Sequence, residues 1–222
     1  MRPANPTHQD SKASSATPRV FIVDDDASVR ESLQIMVRCA GWESEAYACV
    51  GEFLDRPRIT APSCLLLDFI LPDFHGLELQ RRMALEGIDI PIIFVTAYGN
   101  VATAVQAMKA GALGMLMKPL SEDVVLNAIE SAILRSCEVL DEEEADADLR
   151  ACHASLSGRE REVMTLVVSG LLNRQVGAGL GISEITVKAH RAKVMAKMKA
   201  GSLAELVKMA ARLDVIVERD LD

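Results

Sequence analysis

The chain has 222 residues, half of them apolar, and a formal net charge of −8, enough for two small domains with a core each. The first eighteen residues are polar and carry Pro3, Pro6 and Pro18, and the longest uncharged run, 90–108, is broken by Pro91, Gly99 and Asn100, so neither a signal peptide nor a membrane span is expected. Five cysteines at 39, 49, 64, 137 and 152 form an odd, scattered set, which suits the reduced thiols of a cytoplasmic protein and argues against a disulfide frame.

Residues 1–18 read as a disordered arm. From Arg19 to about Cys137, short apolar runs alternate with segments of helical period. The runs are 20–23, 44–47, 64–67, 90–95 and 114–117. The first, third and fourth are apolar on both faces, as strands are in a parallel sheet covered by helices on both sides. Between runs, Val29, Leu33 and Val37 recur at helix spacing, as do Val101, Val105 and Met108. Five such units predict an α/β domain, a doubly wound five-stranded parallel sheet whose ligand site lies beyond the carboxyl ends of the strands.

The first run ends in Asp24, Asp25 and Asp26. Asp26 can cap a helix starting at Ala27, with Ser28 and Glu31 as a competing capping box, but capping accounts for one carboxylate and not three. The run 64–67 also ends in an acid, Asp68. Adjacent strand ends converge in a parallel sheet, so Asp24, Asp25 and Asp68 are expected to share one small space, where two carboxylates about 5 Å apart repel by roughly 3 kcal/mol. A divalent cation relieves that repulsion. Carboxylates, a backbone carbonyl and waters suit Mg²⁺, which leaves positions open for phosphate oxygens. The run 90–95 ends in Thr96 and Ala97, and 114–117 in Lys118 and Pro119. An acid pair, a lone aspartate, a hydroxyl and an ammonium at four strand ends make an aspartyl-phosphate site with a carboxylate as nucleophile.

Through IVDDD, LLLDFILPDFHGLEL, VTAYG and LMKPL, residues 19–138 strongly resemble the receiver domain of bacterial two-component response regulators, which has a flavodoxin-like fold. The resemblance implies that Asp68 is the phosphoacceptor. It implies that Asp24, Asp25, Asp68 and the backbone carbonyl of Ile70 hold Mg²⁺, that Thr96 is the switch hydroxyl, and that Lys118 binds phosphate and precedes a cis bond to Pro119. Asp26 is left as a cap. Met115 departs from the family, which usually has Tyr or Phe there. A flexible methionine can fill the same space but has no ring to mark two distinct positions.

After Ser121 a helical pattern (Val124, Val125, Ala128, Ile129) runs into LDEEEADADLR, so 139–154 reads as an acidic linker, with a helical linker as the alternative. A second domain is expected over 155–215, with a tail at 216–222. Ser157 and Glu160 have capping-box spacing ahead of a stripe of Val163, Leu166 and Val167. Ten Lys or Arg between 155 and 213 stand against four acidic residues, and a basic segment in an acidic chain points to nucleic acid as the partner of that segment alone. Residues 173–198 combine a short amphipathic helix (Val176, Leu180), a tight turn at Gly181 and Ile182, and a second helix capped by Ser183 with Val187, Val194 and Met198 inward. This is helix-turn-helix spacing. Lys188, Arg191, Lys193, Lys197 and Lys199 crowd the second helix and favour a DNA-binding reading over an ordinary helical hairpin.

LSGREREVMTLVVSGL, ISEITVKAHRAKVMAKM and SLAELVKMA are similar to the LuxR-type DNA-binding domain, so the chain resembles the NarL/FixJ branch of response regulators. The resemblance implies Lys188 and Ala189 in the groove, Thr186, Arg174 and Lys193 near phosphates, and Arg191 among the DNA contacts. A last helix with Leu203, Leu206, Val207 and Ala210 on one stripe serves packing and dimer contact. Three departures stand out. Leu172 replaces a hydroxyl cap, with Asn173 as the substitute. Gly177 and Gly179 lie inside the first helix, each costing up to about 1 kcal/mol relative to alanine, which predicts a soft helix. Ile185 replaces a basic residue, where it can touch a thymine methyl or weaken phosphate attraction.

The expected function is a phosphorylation-dependent transcription regulator in the cytoplasm. A sensor histidine kinase phosphorylates Asp68, and a homodimer then forms on double-stranded promoter DNA, with RNA polymerase as a further candidate partner and no membrane partner. Two other classes stay open. A phosphatase of the haloacid dehalogenase type needs a second aspartate two residues after the nucleophile; Ile70 stands there, so self-dephosphorylation and no enzyme activity is expected. The other is a phospho-regulated protein-interaction module whose softened helix-turn-helix binds DNA weakly.

Overall fold

The computed structural model describes residues 16–57, 59–72, 74–97 and 101–219. Positions 1–15 of the expected arm, Tyr98 and Gly99 of the VTAYG motif, and positions 220–222 of the expected tail lie outside these residues. The chain divides into two compact units, the first ending at Asp141 and the second starting at Glu142.

In the first unit the order is β1 (Arg19–Val23), α1 (Ala27–Cys39), β2 (Glu43–Tyr47), α2 (Val50–Leu54), β3 (Ser63–Asp68), β4 (Ile70–Leu71), β5 (Phe74–His75), α3 (Gly76–Leu85), β6 (Ile92–Thr96), α4 (Val101–Lys109), β7 (Gly114–Met117) and the start of α5 (Glu122–Ala154). Five strands form one parallel sheet in the order β2-β1-β3-β6-β7. The period of two decides which side chain goes where. Phe21 and Val23 pack on one face with Phe53, Leu65 and Leu79, whereas Val20 and Ile22 pack on the other with Leu33, Val37 and Ile129. Every residue of β3 is buried, and each such leucine contributes about 2 kcal/mol relative to an exposed one. The edge strand β2, ESEAY, is more exposed and is tied to β1 by ion pairs from Arg19 to Glu43 and Glu45, a charged edge that resists further strand pairing. Strand β6 starts at Ile92 and not at 90, because Pro91 has no N–H for the ladder; its carbonyl still accepts from Leu65 N–H at 2.9 Å.

Register positions the site. Val23 pairs with Leu67, Asp68 with Val95, and Thr96 with Met117, so the carboxyl ends of four neighbouring strands lie level. Asp26 caps α1, its Oδ1 accepting from the Ser28 N–H at 2.8 Å and the Ser28 hydroxyl at 2.7 Å.

Residues 139–154, read as an acidic linker, are helical as the C-terminal part of α5. Leu149 and Cys152 of this stretch pack with Leu156, Met164, Val194 and Leu206 of the second unit, and Arg212 pairs with Asp146. The unit continues as α6 (Gly158–Val168), α7 (Asn173–Leu180), α8 (Glu184–Lys197) and α9 (Leu203–Arg219). Helix α9 thus runs four residues into the stretch read as a tail. The capping box of α6 is formed: Glu160 N–H donates to Ser157 Oγ, and Ser157 N–H donates to Glu160 Oε2 at 2.8 Å. Val176 and Val187 join α7 to α8 within a second small core.

Two expectations about α7 are corrected. Asn173 does not substitute as a cap, because its side-chain oxygen accepts from Arg191 Nη1 at 3.3 Å; the start of the helix is held instead by Gln175 Oε1, which accepts from Leu172 N–H at 2.8 Å. Gly177 is not a point of softness. A Cβ there would lie 2.7 Å from the carbonyl oxygen of Ile182, so only glycine lets the turn close over α7, and Gly181 ends the helix in the left-handed conformation with φ of 66°. A Cβ at Gly179 would meet nothing within 4 Å. Gly177→Ala therefore lowers stability by about 1–3 kcal/mol through overpacking, whereas Gly179→Ala raises it by about 0.5–1 kcal/mol. Thermal melts of the two variants by circular dichroism, moving in opposite directions, check this; equal shifts would contradict it.

Candidate functional site

The strand ends bring five of the sequence-predicted residues into one place. Asp24 follows β1 and is 2% exposed, Asp68 ends β3 at 8%, and Thr96 ends β6 at 1%; Asp25 is exposed. One carboxylate oxygen from each of Asp24, Asp25 and Asp68 lies within 4.8 Å of the others. Lys118, immediately after β7, donates through Nζ to Asp24 Oδ2 and to Asp68 Oδ2, both at 2.8 Å. Its own N–H donates to the Thr96 carbonyl at 2.8 Å, and the Lys118–Pro119 peptide bond is cis. The remaining oxygens are also held: Asp24 Oδ1 accepts from Asp26 N–H at 2.9 Å, and Asp68 Oδ1 from Ile70 N–H at 3.0 Å.

Burial sets the electrostatics. It pushes the Asp24 carboxyl above its ordinary value, against the Lys118 and Asp26 hydrogen bonds and the Lys118 charge that pull it down, and with the neighbouring Asp68 charge adding to the rise. Lys118 loses hydration too, yet its hydrogen bonds to Asp24 and Asp68 hold the ammonium above its ordinary value. A charged Asp24 is therefore costly where it sits, and further positive charge beside it recovers that cost. Three convergent carboxylates are hard oxygen donors of the kind Mg²⁺ takes, so the residues present fit the cation that the sequence resemblance implies.

Two features of this pocket carry no spacing signal in the sequence. Arg30, on α1, donates through Nη1 to the backbone carbonyls of Asp24 at 2.7 Å and Asp25 at 2.9 Å, fixing the loop that carries both carboxylates. A short antiparallel hairpin, β4 with β5, follows Asp68 directly. Met115 lies in β7, paired with Phe94, and packs half-buried against the core on that face.

In the second unit α7, the Gly181 turn and α8 form a helix-turn-helix. Ser183 caps α8, its Oγ accepting from Thr186 N–H at 3.1 Å. Arg174, Lys188, Ala189 and Lys193 are exposed, whereas Thr186 and Arg191 are half-buried. Thr186 shares a hydroxyl contact of 2.8 Å with Ser183, and Arg191 spends one of its donors on Asn173. Lys188 pairs with Glu184 one turn earlier, a surface pair worth about 0.3–0.5 kcal/mol that a phosphate readily displaces. Lys197, counted among the basic residues of this helix, faces the other way: Nζ donates to Glu160 Oε2 at 2.6 Å and to the Ser155 carbonyl at 3.0 Å.

That contact predicts a pH dependence. The Lys197 hydrogen bond, helped by the Ser157 N–H, brings the Glu160 carboxyl from an ordinary 4.5 down to about 2. A carboxyl depressed on folding stabilises above its unfolded value and loses that contribution as pH falls through its folded one. The second unit should therefore weaken between pH 4.5 and about 2, and Glu160→Gln should be less stable at neutral pH with a flatter profile in that window. Unfolding followed across an acid series checks the slope difference; parallel profiles would contradict it.

No described helix is long and apolar enough to cross a membrane. Comparison with known proteins gives a match for each of the two units. Residues 20–130 match the response regulator receiver domain, and residues 154–210 match the bacterial regulatory proteins of the luxR family. Nodulation protein W of Bradyrhizobium diazoefficiens is 42% identical over 88% of this chain and 86% of its own. The transcriptional regulatory protein FixJ of Rhizobium meliloti is 43% identical over 86% of this chain and 94% of its own. The solved structure of response regulator StyR, 42% identical, covers 89% of this chain and all of its own, with a TM-score of 0.79. A receiver domain followed by a LuxR-type helical domain, in one chain and in this order, places the protein in the NarL/FixJ family of two-component response regulators.

Proposed function

We propose that the protein is a transcription regulator switched by phosphorylation of Asp68. The observation that carries this reading is Lys118 Nζ held 2.8 Å from both Asp24 and Asp68, which poises one cation between the nucleophile and its acidic neighbour. A sensor histidine kinase presents phosphohistidine; a carboxylate oxygen of Asp68 attacks phosphorus in line, the P–N bond breaks, and the imidazole leaves with its electron pair. Asp24, Asp25, Asp68 and the backbone carbonyl of Ile70 would hold Mg²⁺, which when bound supplies charge neutralisation for the transferred group. Lys118 moves its hydrogen bond from the Asp68 carboxylate to a phosphoryl oxygen, and the Thr96 hydroxyl donates to another. Movement of Thr96 shifts the sheet face around β6 and β7 between two states, with Met115 filling space there without an aromatic marker. Ile70 stands two residues beyond Asp68, where a phosphatase of the haloacid dehalogenase type carries its acid/base aspartate. Turnover is limited to slow self-dephosphorylation, and the protein is not an enzyme acting on added substrates.

The same reading assigns 19–138 as the phosphoacceptor domain and 155–215 as the DNA-binding domain of a cytoplasmic protein. Helix α8 enters the major groove with Lys188 and Ala189, while Arg174, Thr186, Lys193 and Arg191 meet the flanking backbone. A phosphorylated homodimer sets two α8 helices about 34 Å apart on a two-fold-related promoter site, where RNA polymerase is a further partner. The alternative, an interaction module with weakened DNA binding, rests on a soft α7; Gly177 packs against the turn, which leaves Gly179 and the absent hydroxyl cap at Leu172 as its support. Sedimentation and duplex binding with and without beryllofluoride test the proposal. Dimerisation and tighter, steeply salt-dependent binding in its presence are expected; unchanged mass and unchanged affinity would refute it.

A further inference from the structure

Ile185 is 80% exposed, on the first turn of α8. Scattered apolar side chains are ordinary on a protein surface; the position of this one is not. Residues three and four apart on a helix share a face, so Ile185 stands beside Lys188 and Ala189, both exposed. The opposite face is already used, with Val187 and Val194 buried in the unit's two cores. The Ser183 cap fixes the first turn through its bond to Thr186 N–H at 3.1 Å, so the side chain is presented from a rigid element.

The neighbours indicate what covers it. Around it the exposed Lys188, which Glu184 pairs at 3.0 Å, and the exposed Lys193 leave an excess of positive charge, which fits the phosphate-lined groove of DNA and not a positively charged or wholly apolar protein partner. Ala189 is small enough to let a base edge approach the helix. Within the major groove the one apolar feature on any base edge is the C5-methyl of thymine. A branched aliphatic side chain can neither donate to nor accept from guanine, adenine or cytosine edges, and it carries no charge toward a phosphate.

We propose that Ile185 is a specificity-determining residue whose side chain packs on the C5-methyl group of a thymine in each half-site. This rests on the DNA-binding reading of the second unit and adds a base preference to it. Selection of duplexes from a random library by the full-length protein, loaded with beryllofluoride, supplies the site. Replacing thymines of the selected half-site by deoxyuridine, one at a time, then removes single methyl groups while leaving every hydrogen-bonding edge intact. At one position uracil should weaken binding about fourfold, the effect of withdrawing one buried methyl. Ile185→Ala should bind the thymine and uracil duplexes equally, and Ile185→Val should keep most of the discrimination. Melting temperatures of the variants, expected unchanged at so exposed a site, exclude a folding effect. If a sequence is selected but no uracil duplex binds more weakly, or if Ile185→Ala keeps the discrimination, the thymine contact is overturned and DNA binding stands. If no sequence is enriched, the DNA-binding reading falls and takes the contact with it.

Discussion

Asp68→Asn should abolish labelling by a small acyl phosphate such as acetyl phosphate, whereas the parent chain becomes labelled in the presence of Mg²⁺. The amide lacks the negative charge that makes the carboxylate oxygen a nucleophile toward phosphorus, and the variant also removes one of three converging carboxylates. The fold should survive. The carboxamide oxygen still accepts from Ile70 N–H, a contact of 3.0 Å in the parent, while Lys118 gives up its bond to residue 68 and keeps the one to Asp24 at 2.8 Å. A melt in the absence of divalent cation should therefore move little, or upward, because repulsion from Asp24 is relieved. Asp24→Asn and Asp25→Asn should slow labelling without removing it. Full labelling of Asp68→Asn would refute the assignment of the nucleophile.

Lys118→Met should be the most destabilising single change in the pocket. Lys118 is the cation between two carboxylates that the fold has taken largely out of water, with Asp24 at 2% exposure. Removing one member of such a cluster leaves the others charged and unpaired, at a cost of roughly 3 kcal/mol. The same logic gives a diagnostic rescue. Burial already pushes the Asp24 carboxyl up, so without Lys118 added positive charge becomes more valuable, and Mg²⁺ should raise the melting temperature more in the variant than in the parent. Chemical denaturation at neutral pH, with and without the cation, measures both effects. A variant as stable as the parent, or one that Mg²⁺ stabilises no more, would show that the lysine does not neutralise the pocket.

Much of this site is legible in the sequence, for a physical reason. Strands buried on both faces are apolar at every position, so the acids, hydroxyl and lysine that end them stand out sharply, and a parallel sheet has no choice but to bring those ends together. The edge strand β2 was less distinct, since its polar residues serve an exposed border. Other features were hidden because they depend on contacts to backbone, which no residue spacing encodes. Arg30 holds two carbonyl oxygens, and nothing in its type or position separates it from an ordinary surface arginine of α1. Gly177 looks like a helix weakener until the Ile182 carbonyl is seen to occupy the place of a Cβ. Lys197 counted as one more basic residue of α8 until its partner proved to be Glu160 of the capping box. The stretch 139–154 lacks an apolar period over DEEEADAD, so periodicity alone could not separate helix from linker, although glutamate and alanine are strong helix formers.

The account rests on a covalent phosphoryl group carried by one carboxylate among the strand ends, and the direct measurement is to locate it. An acyl phosphate is reduced by borohydride to the alcohol, so the phosphorylated chain, reduced and digested, should contain homoserine in place of Asp68 and aspartate unchanged at 24, 25 and 26. Homoserine at any of those positions in place of 68, or a stable label on histidine, serine or threonine with residue 68 untouched, would contradict it.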